Sequence, residues 1–237
     1  MSPHSTSPAS ALVAAESSAG APGLPWLQSV CQAVVHSLPA YGSGVTVLTH
    51  DGSLAVAAAS DVTSLALKEL QFMLGVGPCV DAFSLRRPVL HEQLIEGVPP
   101  RWLGYRREVF NRGVRAVFAF PLQLGAARLG VLDIYRSRTG SLSPAELALA
   151  LDFGAVAILG LLDRSLAPAA GGPDWVLADA LEGRMEIYQA QGVVVVQLSV
   201  GPAEAMVRLR AHAYAEDRRG GAPHPGLSAG PDVAVRG

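Results

Sequence analysis

Residues 114–137 constrain the fold most. VRAVFAFPLQL (114–124) reads as a strand, Gly125-Ala126-Ala127 as a turn, and RLGVLDIYRS (128–137) as a second strand. Strands joined so closely pair antiparallel, because a parallel pair needs a crossover of about a dozen residues or more.

The flanking patterns extend this pair. Residues 26–38 place Trp26, Val30, Ala33, Val34 and Leu38 on one helical face, and Pro39 stops that helix. VTVLTH (45–50), an Asp51-Gly52 turn and SLAVAAAS (53–60) predict a hairpin after a turn at 41–44. Asp61 is positioned to cap a helix over 62–73, and residues 74–78 break it. PVLHEQ (88–93) predicts a short strand, and residues 101–113 a helix ended by Gly113. Ser143, Pro144 and Glu146 form a capped helix start. The helix 144–166 is apolar on nearly all sides, so it is expected to be buried or paired with a second subunit. The class is α+β, an antiparallel sheet flanked by helices.

Composition bounds the function. Of 237 residues, half are hydrophobic and 16% charged, enough for a sizeable core. A net charge of −2 gives no global pull toward nucleic acid or anionic membrane, so any such contact needs a local patch. Cys31 and Cys79 form no CxxC pair, which points away from a zinc site or a disulfide framework and toward a reduced, cytoplasmic setting. No apolar run reads as long enough to cross a membrane. Residues 1–24, rich in Ser, Ala, Pro and Gly, lack a basic start and a long apolar stretch, and are expected to be a disordered leader.

After a joint at 167–174, residues 175–219 are helical in pattern. Leu177, Leu181, Met185 and Tyr188 recur at three and four residues. Ser199 to Pro202 break the chain, and a second helix carries Met206, Leu209 and Ala213 on one face. Residues 220–237 are too rich in Gly and Pro for a stable helix and are expected to be a disordered tail.

Two resemblances follow from particular segments. LGVGPCVDAF (74–83), VFAFPLQLGAARLGVLDIY (117–135) and SPAEL (143–147) together resemble a GAF domain of the kind in actinobacterial regulators, across residues 25–166. The resemblance implies a six-stranded antiparallel sheet with helices on both sides. It also implies a pocket roofed by loops between residues 74 and 113. RMEIYQAQGVVVVQLSVGPAEAMVRLRAHAYAEDR (184–218) resembles an ANTAR domain, an RNA-binding module that prevents transcription termination. That resemblance implies three helices, the first extending a dimerising coiled coil. The third is replaced by the Gly/Pro-rich run, so the C-terminal end is degenerate.

Candidate sites carry competing explanations. Arg208, Arg210 and Arg218 are candidates for RNA phosphate contact, and Tyr214 for stacking on an unpaired base. A solvated helix face explains the same residues, and Glu204, Glu216 and Asp217 offset much of their charge. Cys79 with Asp81 is a candidate ligand-binding pair, against the plain reading of Cys79 as a small buried hydrophobe. His91-Glu92 and His50-Asp51 fall at strand ends and read as surface turns. No nucleophile elbow, P-loop or dinucleotide fingerprint occurs, so neither an enzyme nor a cofactor or metal is expected. The expected function is a homodimeric, signal-responsive antiterminator that binds RNA hairpins in nascent transcripts, with a small-molecule ligand at the sensor. The alternative is a GAF-type ligand- or protein-binding dimer with a non-functional output.

Overall fold

The computed structural model describes residues 7–16, 24–48, 54–95 and 98–166, and further on 190, 193–194, 197–198, 200 and 202–215. The chain divides into two compact units, Met1–Met185 and Glu186–Gly237.

In the first unit, helices α1 (Pro8–Glu16) and α2 (Leu24–Ser37) precede strands β1 (Gly42–Leu48) and β2 (Leu54–Ala59). Helices α3 (Val62–Leu74) and α4 (Pro78–Leu85) lead to β3 (Val89–His91). A 3-10 turn (Pro100–Trp102) runs into α5 (Leu103–Asn111). Strands β4 (Ala116–Leu124) and β5 (Ala127–Arg136) and helix α6 (Pro144–Leu166) complete the unit. The sheet is antiparallel in the order β2-β1-β5-β4-β3. The five strands match the five apolar runs of the sequence, and the sixth implied by the GAF resemblance is not formed among the described residues. The turn expected at Asp51-Gly52 and the His50-Asp51 pair lie outside the described residues.

Period-two alternation sorts the sheet residues into two layers. Phe118, Phe120, Leu122, Leu132 and Ile134 join α1, α2 and α6 in one apolar core. Val117, Ala119, Val131 and Tyr135 face α3, α4 and α5 on the other side. β1 starts at Gly42, inside the expected turn, because Gly42 to Val47 register directly against β5.

Local capping chemistry sets the helix ends. The Asp61 carboxylate accepts from the Thr63 and Ser64 amides at 2.8 and 2.9 Å. Gly75 ends α3 in the left-handed region at φ 66°. Ser143 and Glu146 form a reciprocal box: Glu146 N–H donates to Ser143 Oγ at 3.2 Å, and Ser143 N–H to Glu146 Oε2 at 2.6 Å.

Two expectations need correction. Residues 8–16, taken as disordered leader, form α1. Ser7 Oγ accepts from the Ser10 amide, Ala9 N–H donates to Asp152 Oδ2 of α6 at 3.0 Å, and Ala9 and Val13 are buried one turn apart. Helix α6, expected to be buried or paired with a second subunit, is buried along one face. Ala150, Phe153 and Ala157 face the core, whereas Leu151 and Leu159 are exposed. Finally, Pro144–Leu162 is long and apolar enough to cross a membrane by length and composition, with mean hydropathy 2.0. Here Ala150, Phe153 and Ala157 from that stretch pack α6 against the core.

In the second unit, α7 (Pro202–Ala215) starts at Pro202, which suits a first helical position, and buries Ala205.

Candidate functional site

The α3 side of the sheet holds a polar cluster inside an apolar layer. On α3, Ser64, Lys68 and Gln71 lie at i, i+4 and i+7, so one helical face turns three polar side chains inward. On β5, Asp133 points to the same side as Val131 and Tyr135. Lys68 Nζ donates to Asp133 Oδ2 at 3.1 Å, with both side chains fully buried. Gln71 Nε2 donates to the same oxygen at 2.8 Å, and the Tyr135 hydroxyl at 3.3 Å. Gln71 Oε1 accepts the Cys79 amide at 2.8 Å, which fastens the start of α4 to α3. The Cys79 thiol lies 3.7 Å from Lys68 Nζ and 3.6 Å from Thr46 Oγ1.

The electrostatics fix the protonation states. Burial is the largest influence on Lys68 and lowers its pKa, but the charge and hydrogen bond of Asp133, together with the nearby Cys79 and Cys31, leave it raised, so Lys68 is an ammonium. Burial pushes the Cys79 thiol up to about 12, with the Asp133 charge adding to it, and so the thiol stays protonated at neutral pH. A thiolate is the reactive form of cysteine, so Cys79 is a poor redox or nucleophilic centre. Cys31, buried below the other face, is likewise raised to about 12 by desolvation.

Not every polar group here has a partner in the protein. Asp133 Oδ1, the Tyr105 hydroxyl and Trp102 Nε1 are buried without a hydrogen bond. Such groups each cost about 1–3 kcal/mol unless water or a ligand satisfies them. Trp102 packs edge-on against Tyr105 at 6.3 Å and against His91 at 4.6 Å. His91, read from the sequence as a surface turn, is therefore half-buried at the end of β3. Burial lowers its pKa, partly offset by Asp81.

Beyond His91 a surface cleft of about 250 Å³ opens beside β3. Asp81, Arg87, His91 and Arg101 supply its polar wall, and Leu85, Pro88, Val89, Leu90 and Pro99 its apolar wall. Asp81 is ion-paired there with Arg101.

The expected pair of Cys79 and Asp81 is thus divided. Two positions apart on α4 is about 200° of rotation, so Cys79 turns to the buried cluster and Asp81 to the cleft. Lys68, Gln71, Asp133, Tyr105 and Tyr135 were missed in the sequence. Their signal was an acid inside the apolar run GVLDIY and a polar i, i+4, i+7 stripe on α3. Among the described residues, no group of three His, Cys, Asp or Glu converges as a metal set.

Of the RNA-contact candidates, Arg208 is exposed and paired with Glu204 one turn earlier at 2.5 Å. Arg210 and Tyr214 belong to α7, and Arg218 lies outside the described residues.

Residues 26–159 match the family model of the GAF domain. The match ends before residues 184–218. Among solved structures, the chain is similar to the GAF domain of a phosphoenolpyruvate-protein phosphotransferase from Coxiella burnetii. Identity is 18% and the TM-score 0.51, over 61% of this chain and 86% of that one. It is also similar to a GAF domain/HD domain protein from Geobacter sulfurreducens (14% identity, TM-score 0.46, 63% and 99% covered). A third is a type II free methionine-R-sulfoxide reductase from Thermoplasma acidophilum (17%, 0.43, 56% and 87%). At these identities the likeness is one of fold. No curated protein matches the chain.

Proposed function

The chain belongs to the GAF domain family, whose model covers residues 26–159, and on that premise we propose that it is a signal-responsive transcription regulator. The GAF domain is the signal-sensing module. A small-molecule ligand acts on its α3–α5 side, and the segment after it binds hairpins in nascent RNA and prevents termination. The observation that carries this reading is the order of modules in one chain. A GAF domain is followed by QAQG (189–192) and EAMVRLRAHAY (204–214), segments that resemble an RNA-binding antitermination module.

The physical argument for RNA is local. The net charge of −2 cannot attract a polyanion, so affinity must come from arginines gathered on a short segment. Arg208, Arg210 and Arg218 are the arginines assigned that role in this reading. The protein acts as a cytoplasmic homodimer without enzymatic activity, α6 and the helix expected after it supplying subunit contacts. A second reading is favoured by the Gly/Pro-rich residues 220–237: a sensing dimer whose output no longer binds RNA.

Fluorescence anisotropy of the full chain with an RNA of two tandem hairpins separates these readings. Binding should weaken as salt rises. Arg208→Gln should lower affinity about threefold to tenfold while leaving thermal stability unchanged. Absence of binding at low salt would leave only the second reading.

A further inference from the structure

We infer that the cleft beside β3 is the entry and recognition site for a small organic anion, a carboxylate or phosphate on a short apolar body. The inference rests on the reading of residues 26–159 as a sensor and names the chemical class of its ligand.

Charge is the first argument. Arg87 lines the cleft just before Pro88 and β3, and Arg101 lines it from the 3-10 turn. Among the described residues Asp81 is the one carboxylate in the cleft wall, and it is engaged with Arg101. Two arginines lining one space fit an anion, because planar guanidinium donors bind carboxylate and phosphate oxygens in pairs. Edge protection accounts for arginine and proline beside a short edge strand. It does not account for a second arginine brought to the same cleft by a different element.

Size is the second argument. About 250 Å³ lies just below the roughly 300–1,000 Å³ of sites that hold drug-sized ligands, so the occupant is small. The apolar wall of Leu85, Val89 and Pro99 gives its body somewhere to lie. Backbone conformation adds a third point. Arg86, at the mouth of this segment, is the one non-glycine residue with positive φ (57°) among the described residues. The Gln123 side chain holds its carbonyl at 3.2 Å. That bend sets the path of the chain into Arg87.

Asp81 then has a defined role. Its carboxylate occupies Arg101 when the cleft is empty, and an incoming anion replaces it, breaking one charge-assisted hydrogen bond and forming another. His91 lies between the cleft and Trp102, whose indole in turn packs on Tyr105 next to the Asp133 cluster. Occupancy is thereby one side chain away from a tryptophan.

The test is isothermal titration calorimetry of the full chain, without RNA, against phenyl phosphate, benzoate, inorganic phosphate and neutral phenol, with tryptophan fluorescence as a parallel readout. Expected is saturable binding of phenyl phosphate or benzoate with a change in fluorescence, and none of phenol. Arg87→Gln and Arg101→Gln should each weaken it at least about tenfold. Asp81→Asn should tighten it severalfold by freeing Arg101, and exposed Arg138→Gln should leave it unchanged. No saturable anion binding, equal weakening by Arg138→Gln, or weaker binding in Asp81→Asn would overturn the inference. Stronger binding of inorganic phosphate than of either organic anion would also overturn it, since the apolar wall would then contribute nothing. Because RNA is left out, failure of the RNA output cannot be mistaken for failure of the anion site. Anion binding that never alters RNA affinity would instead count against the sensor reading.

Discussion

Asp133 sits in a strand buried without interruption from Gly130 to Arg136, and its charge is held by Lys68, Gln71 and Tyr135 through one oxygen. Burying an ion pair is costly, but breaking one leaves an uncompensated charge, which costs about 3–5 kcal/mol. Lys68→Met should therefore destabilise the sensor by about that amount in urea unfolding. Lys68→Met with Asp133→Leu should recover part of the loss, because it removes the unpaired charge but leaves the Gln71 amide and Tyr135 hydroxyl without that acceptor. If the double variant is as unstable as the single one, the cluster is held by something other than this pair. The pH dependence has a definite sign. Lys68, Cys79, Tyr105 and Tyr135 all have raised pKa values in the folded state. A group raised on folding contributes stability below its unfolded value and loses it as pH climbs toward its folded one. The urea midpoint should accordingly fall as pH rises from about 9, the ordinary value of a thiol, toward the value of about 12 to which burial pushes Cys79, and Cys79→Ala should soften the fall. Little of this cluster was legible in the sequence. A lone acid and lysine 65 positions apart look like surface charges until the sheet and α3 are stacked.

Among the elements, those with local chemistry were legible and those held by distant partners were not. The Asp61 cap, the Ser143/Glu146 box and the Gly75 stop are written in a few adjacent residues, and the structure forms each. Helix α1 depends on Asp152, 143 positions away, and at nine residues it is too short to be stable alone. Its Ser/Ala/Pro composition gave no sign of that partner. Helix α6 supplies a sharp contrast between two of its glycines. A Cβ at Gly154 would meet Leu122 at 3.7 Å, an ordinary contact. One at Gly160 would run into the Trp26 indole of α2. Gly154→Ala should stabilise the domain by up to about 1 kcal/mol through helix propensity. Gly160→Ala should lose about 1–2 kcal/mol net, because forcing the rigid ring aside exceeds the propensity gain. Thermal unfolding of the two variants side by side checks the opposite signs, and equal shifts would contradict the α2–α6 contact.

For the whole molecule, the sensor was the legible part. Alternating apolar runs and turn residues specified a sheet with helices on both faces. The resemblance carried by GVGPCVDA and the 117–135 hairpin led to the family that residues 26–159 match. One strand too many came from the resemblance, not from the residues themselves. The placement of the site was less legible, since Cys79 and Asp81 are neighbours in sequence but face different environments. The output rests on a motif and a short arginine-bearing helix. Transcription in vitro tests it most directly. The template carries two tandem hairpins ahead of an intrinsic terminator, and the full chain is added with and without phenyl phosphate. Read-through should rise with protein, change with the anion, and fall back with Arg208→Gln. Termination that is indifferent to the protein at every concentration, with the protein folded, would contradict it.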